Sequence, residues 1–232
     1  ELFFPIENQR IMDSSSRKLS SITSKVIMAL AGLFLVVFLL VHLGINLMLL
    51  VDDGGHSFSV AANFMATNPV IRIMEVVLFG GFLLHMVFGV LVSIRNRFSR
   101  PVRYQHRSAT ETSPFSRYMF HSGIIVFIFL VLHFIDFYCI KIGLVAPPAG
   151  VDRHDFYHRT IMLFSDKGYA GIYLACFLFL GIHLNHAFQA AFQTIGLNHN
   201  KYVETIKTAS SLYAIVVAGG FMVIPIWFMF FR

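Results

Sequence analysis

The chain has 232 residues, of which 56% are hydrophobic and 13% charged, with a formal charge of +6; its mean hydropathy is +0.70. A water-soluble domain of this length has too little core to hide that much apolar side chain, so lipid is the expected solvent. The cations lie between the apolar runs rather than in one patch, which argues against nucleic acid, and Cys139 and Cys176 form no CxxC or CxxCH, so zinc ribbons, iron–sulfur ligation and covalently attached haem lack support.

Five apolar runs cover residues 22–50, 69–94, 117–141, 169–195 and 206–230. Each can cross a hydrocarbon core about 30 Å thick, which takes roughly 20 helical residues. The runs are continuous, not alternating, so a closed β-barrel is excluded. The expected fold is all-α and integral to the membrane, a single domain over 1–232 with five transmembrane helices, four of them forming a bundle.

Residues 1–21 mix Phe3, Phe4 and Ile6 with Arg10, Arg17 and Lys18 and read as an interfacial segment. This stretch and the first span are both too long for a cleavable leader. Ser20, Ser21 and Ser24 are candidate helix caps. Span one carries His42 and Asn46, four apart and so on one face. Asp52-Asp53-Gly54-Gly55 reads as a turn, and residues 54–68 as a loop. Asn68-Pro69 opens span two, with the proline in the first turn. That span holds Glu75, Gly80, Gly81, His85 and Gly89 and ends in Arg95-Asn96-Arg97; Arg100, Arg103 and Arg107 follow.

Ser113-Pro114 leads into span three, with His121, His133 and Asp136. Pro147-Pro148 breaks the chain, and residues 145–167 read as a longer loop. Span four carries His183 and His186 and ends near Gly196. Span five has Pro225 but no histidine. Lys and Arg number 12 on the side of the N-terminus and 6 on the other. That asymmetry predicts a cytoplasmic N-terminus and an external C-terminus.

An ionisable side chain at hydrocarbon depth is costly and marks a site. At 1.5 Å per residue, His42 lies roughly 25 Å from the cytoplasmic edge counted from Lys25, and His133 roughly 24 Å counted from Arg117. His85 lies about 15 Å from Arg95, and His183 about 20 Å from Gly196. His42 should therefore meet His133 near the outer side, and His85 should meet His183 nearer the cytoplasm. Two bis-imidazole sites stacked across the membrane suit electron transfer between its faces, with the four histidines as axial ligands of two haem b irons. One interior histidine is explained by a hydrogen bond or a proton relay; four, on four helices at two matched depths, are not so easily explained. Zinc is disfavoured, because no cysteine or carboxylate joins either pair at its depth.

Gly81, His85 and Gly89 share one face of span two. Such a face leaves room for a flat macrocycle, or serves small-xxx-small helix packing. His186 is the alternative ligand on span four. Depth favours His183 and leaves His186 to bond a propionate or pack at the haem edge; His121 has similar standing.

The segment His183-Leu-Asn-His-Ala-Phe-Gln-Ala-Ala-Phe-Gln-Thr-Ile-Gly-Leu-Asn-His-Asn-Lys-Tyr202 resembles the cytochrome b subunit of succinate dehydrogenase and fumarate reductase, of the single-chain, five-helix, di-haem type. So do Lys25-Val-Ile-Met-Ala-Leu-Ala-Gly-Leu-Phe34 and Arg100-Pro-Val-Arg-Tyr104 with Asn96. The resemblance covers most of the chain. It implies that His42 and His133 hold the distal haem and His85 and His183 the proximal one, the pairing that depth also gives. It further implies a bacterial cytoplasmic (inner) membrane. The partners it implies are an iron–sulfur subunit and a flavoprotein with covalent FAD, docked on the cytoplasmic face, where Arg95–Arg107 is a plausible platform. Menaquinone is the expected quinone, near the distal haem.

A quinone taking two electrons also takes two protons, so a carboxylate should lie nearby. Glu75, about 15 Å outward of His85, and Asp136, one turn from His133, are the candidates. Alternatives are an ion pair with Arg72 for Glu75 and a water-facing helix end for Asp136. Some family members carry an acid two residues before the helix-four ligand; here that position is Gly181. Competing readings are a cytochrome b of a hydrogenase or formate dehydrogenase, and a haem-free transporter with a histidine relay.

Overall fold

The computed structural model describes residues 20–98, 119–197 and 199–231. The N-terminal segment before Ser20 and the arginine-rich loop at Arg100, Arg103 and Arg107 lie outside the described residues. Among the described residues, seven α-helices of ten residues or more run in order: α1 Ser21–Leu47, α2 His56–Thr67, α3 Pro69–Phe98, α4 Met119–His133, α5 Phe156–Ser165, α6 Lys167–Thr194 and α7 Asn200–Phe230. No strand occurs among the described residues. Five helices are long and apolar enough to cross a membrane, α1, α3, α4, α6 and α7, with α1 extended to Leu50 and α4 to Lys141. The protein is an all-α, multi-pass membrane protein. The face on which α1 begins is called the near face below, and the opposite one the far face.

Local chemistry sets the helix ends. Ser20 Oγ accepts from the Thr23 amide at 3.1 Å, a cap that stabilises by about 1 kcal/mol. Asn68 Oδ1 accepts from the Val70 and Ile71 amides at 2.9 and 3.3 Å, so the chain turns into α3 with Pro69 where no amide is needed. Asp166 Oδ1 accepts from the Tyr169 amide at 2.9 Å and starts α6. α7 begins at Asn200, six residues before the apolar run, because its first turns are polar helix with a Lys207–Glu204 pair at 2.7 Å.

Two stretches read as loops from sequence are partly helical. α2 fills most of 54–68, and α5 lies within 145–167. Both sit on the far face and are too short to span. α5 is capped by Asp155, whose Oδ1 accepts from the His158 amide at 3.1 Å. It buries Tyr157, Thr160 and Phe164, one stripe at helical spacing. Between α1 and α2 the backbone of Gly55 takes φ +85°, and a Cβ there would lie 2.4 Å from the Tyr157 ring. Only glycine fits that corner. Hydrogen bonds from Ser57, its side chain foremost, hold the exposed Asp53 carboxyl below the usual carboxylate range.

The tightest packing is α6 on α7. A Cβ on Gly181 would lie 2.9 Å from Ala218 Cβ, and one on Gly220 would lie 2.9 Å from Leu43 of α1. Without a hydrophobic drive between helices in lipid, such close approach is what holds a bundle together. The Tyr213 hydroxyl donates to the Val36 carbonyl at 2.6 Å and ties α7 to α1. α3 leans on α1, and α4 on α6. α3 meets α4 through side chains: Phe79 contacts Phe134 and Tyr138, and Phe82 contacts Phe134. Backbones held apart by large side chains leave interior space among α1, α3, α4 and α6.

Candidate functional site

The four interior histidines fall into two groups. Toward the far face, the rings of His42 on α1 and His133 at the end of α4 lie 5.8 Å apart between centroids, at 80° to one another. Metal–imidazole bonds run about 2.0–2.1 Å, so two axial rings on one iron stand roughly 6 Å apart. The observed spacing is close to that. Phe38 stacks on His42 at 5.3 Å, Phe221 lies 5.7 Å from it, and Phe129 and Phe137 flank His133 at 6.0 and 5.1 Å. Asn46, on the His42 face as its spacing predicts, sends its amide to the His42 carbonyl at 2.8 Å.

Both rings line a cavity of about 580 Å³, within the usual range for a bound organic group. Its walls are mostly apolar, with Phe34, Phe38, Phe82, Phe129 and Phe177 among them. His133 Nδ1 is fully buried and has no hydrogen-bond partner among the described residues. A buried polar atom left unpaired is costly. No cluster of three or more His, Cys, Asp or Glu suited to a bare metal ion occurs among the described residues. Two imidazoles alone do not make a closed zinc site. They do suit a macrocycle that brings its own equatorial donors, and the cavity and the ring spacing fit such a group.

Toward the near face, His85 and His183 are held differently. His85 Nδ1 lies 3.2 Å from the Met28 carbonyl of α1, so that nitrogen carries the proton. His183 Nδ1 lies 3.2 Å from Ser122 Oγ of α4, and Ser122 itself donates to the Met119 carbonyl at 2.9 Å. With its hydrogen committed, the serine oxygen can only accept, so His183 Nδ1 is protonated too. Each ring therefore keeps an Nε2 lone pair. An N–H fixed by a second group is how metal-binding histidines are oriented.

Each ring also rests on a glycine of a neighbouring helix. A Cβ on Gly32 would lie 3.1 Å from His85 Cε1, and one on Gly123 would lie 3.3 Å from His183 Cε1. His85 and His183 are within electrostatic reach of one another, and His186 of His183. His186 is half-buried beyond them; the serine bond and the glycine notch both belong to His183. Gly81 and Gly89 look onto Phe34 and Met28 of α1, so the glycine face of α3 is used for packing on α1.

The two acids have partners that their own helices do not reveal. Glu75 pairs with Lys141 of α4 at 2.9 Å and not with Arg72, whose Nε donates to the Ala66 carbonyl at 3.2 Å. Glu75 lines the histidine cavity and a second, far-face chamber of about 490 Å³. Tyr138 stands beside Glu75 in the same wall. That chamber is more polar, with Ser59, Asn63, Thr67, Arg72 and His154 in its walls.

Asp136 does not face water; it is 6% exposed. It sits in one wide turn of i→i+5 bonding, Phe134–Tyr138, directly after His133. Such turns mark irregularities in helices, often at functional places. Tyr169 and Tyr173 of α6 both donate to its Oδ2, at 2.5 and 2.7 Å. Arg159 of α5 donates to its carbonyl at 2.9 Å and stands 3.8 Å from its Oδ1. Asp136 lines neither of the two cavities. It joins α4, α5 and α6 beside the far pair, and Arg159, Tyr169 and Tyr173 are the residues that sequence reasoning missed. Gly181 has a packing role: it is the notch that receives Ala218, and an acid side chain would not fit there.

Comparisons with protein-family models, with curated proteins and with solved structures find no match for this chain.

Proposed function

We propose that this protein is the membrane-anchor cytochrome b subunit of a succinate:quinone oxidoreductase, carrying two b haems. The observation that carries the reading is the far pair: two imidazoles 5.8 Å apart, lining an apolar cavity with an acid in its wall. His42 and His133 would hold the distal haem, and His85 and His183 the proximal one. Bound there, the haems would supply one-electron carriage across the bilayer. The chain's own residues do the rest. Met28 and Ser122 hold the near imidazoles in the Nδ1–H form, the phenylalanines around the far pair exclude water, and Glu75 holds or releases a proton at the edge of the cavity. A lipid-soluble quinone fits that edge, with menaquinone as the first candidate.

The charge asymmetry supports placing the near face toward the cytoplasm of a bacterial cell, in its inner membrane. The iron–sulfur and flavoprotein subunits would then dock on that face.

The test is a reduced-minus-oxidised visible spectrum of the purified membrane protein with pyridine-haemochrome quantitation. Two low-spin b haems per chain are expected. Folded protein without haem would sink the reading and leave a histidine-relay transporter. Haem without co-purifying succinate-linked subunits would turn attention to a hydrogenase or formate dehydrogenase partner.

A further inference from the structure

The far-face chamber and the histidine cavity share a wall, and Glu75, Tyr138 and Lys141 stand in it. Resting on the quinone reading above, we propose that Lys141 is the residue that binds the oxidised headgroup. The Lys141–Glu75 pair then forms one recognition site for a single quinone oxygen in both redox states. A quinone carbonyl only accepts hydrogen bonds, and the Lys141 ammonium only donates. A quinol hydroxyl can donate, and the Glu75 carboxylate accepts. The two groups lie 2.9 Å apart, so an oxygen placed between them finds the right partner whichever form it is in.

The ion pair is the closed state of this site. Its side chains are 23% and 24% exposed, so both charged groups remain open to the cavities they line. A ligand oxygen that enters the pair exchanges the Lys141–Glu75 hydrogen bond for a charge-assisted one of its own, from Lys141 to a quinone carbonyl or from a quinol hydroxyl to Glu75. The pair also bridges α3 and α4 where their backbones stand apart. Tyr138 stands beside both partners: it lines the shared wall with Glu75, and the Lys141 ammonium lies 5.5 Å from the centre of its ring. The apolar cavity on one side suits a flat aromatic ring. Glu75 opens on the other side to a chamber with Ser59, Asn63 and His154, where a released proton can meet polar groups.

The probe is 2-methyl-1,4-naphthoquinone, measured by equilibrium dialysis against the full chain in lipid nanodiscs. The oxidised form is used with air-oxidised protein, and the hydroquinone under excess dithionite, so that no net electron transfer disturbs binding. Lys141→Met should weaken the quinone about tenfold or more and the hydroquinone less. Glu75→Gln should show the reverse order. Lys141→Arg, which keeps the donor and the bridge between helices, should restore quinone binding and shows that any loss in Lys141→Met is not a folding defect. Equal quinone affinity in wild type and Lys141→Met would overturn the assignment, as would the absence of binding in either redox state. The haem spectrum is read on the same samples. If it shows two haems while the affinities do not move, the Lys141 inference alone fails; if it shows none, the reading beneath it fails.

Discussion

The two histidine pairs are built on opposite plans. The near pair is closed: each ring has an Nδ1 bond to another helix and lies against a glycine. The far pair is open: its rings line a large cavity, and His133 Nδ1 has no partner. A closed site fixes ligand orientation before the group arrives. An open site beside a chamber leaves room for a second, exchangeable molecule. If both hold haem, the near one is a fixed relay and the far one is the place where chemistry with a diffusing substrate can occur. Glu75 and Lys141 stand at the far pair only, which agrees with that division.

The largest expected effect breaks the far pair. His133→Ala should reduce haem content from two per chain to one by pyridine haemochrome, with the remaining low-spin signal unchanged. His183→Ala should leave the other signal. If either variant loses both haems while the helices stay folded by circular dichroism, the two sites are not independent and the comparison fails.

Next in size is Gly55→Ala. The added Cβ meets the Tyr157 ring, and positive φ costs a non-glycine residue roughly 1–2 kcal/mol more. The cap made by α2 and α5 should loosen, so the far haem should be lost at lower temperature while the near haem persists. A parallel downward shift of both haem signals on heating would mean that the cap serves the whole bundle rather than the far site.

Gly32→Ala sharpens the comparison from the other side. Its Cβ would sit 3.1 Å from His85 Cε1, a distance at which the ring must give by a few tenths of an ångström. The expected result is a broadened near-haem resonance with the far one untouched. No change in either would show that the Gly32 notch is slack and that the Met28 bond alone orients His85.

Much of this was legible in the sequence, for reasons of scale. Run length against bilayer thickness gives the five spans. Counting 1.5 Å per residue gives a close depth match for His42 with His133 and a looser one, about 15 against about 20 Å, for His85 with His183, and the structure sets the first pair 5.8 Å apart between ring centroids. What stayed hidden depends on contacts between distant positions. Lys141 is 66 residues from Glu75, and Arg72, three residues away, is the partner that a helical pattern suggests. Asp136 lies at a helix end by count, yet α5 and α6 fold over it. The wide turn at Phe134–Tyr138 has no signature in composition. α2 and α5 are amphipathic and short, so a search for spans passes over them. Ser122 was silent because a serine in an apolar helix ordinarily bonds back to its own turn. It does so here as well, and it is the remaining lone pair that reaches His183.

The finest test is at that serine. Ser122 is 5% exposed, and its removal deletes two hydrogen bonds, each about 0.5–1.5 kcal/mol, without opening a large cavity. Ser122→Ala should therefore fold. Metal affinity falls about 10–100-fold when an orienting group of this kind is lost, so near-haem retention on dilution should drop toward the low end of that range. The far haem, whose histidines Ser122 does not touch, should be retained as in wild type. Ser122→Thr keeps the hydroxyl and should restore the near site. The discriminating readout is the near-haem electron paramagnetic resonance signal, since freeing His183 changes the angle between the two axial rings even where haem stays bound. If Ser122→Ala leaves that signal and the retention unchanged, the Gly123 notch orients His183 by packing, and the near site is closed by shape rather than by hydrogen bonding.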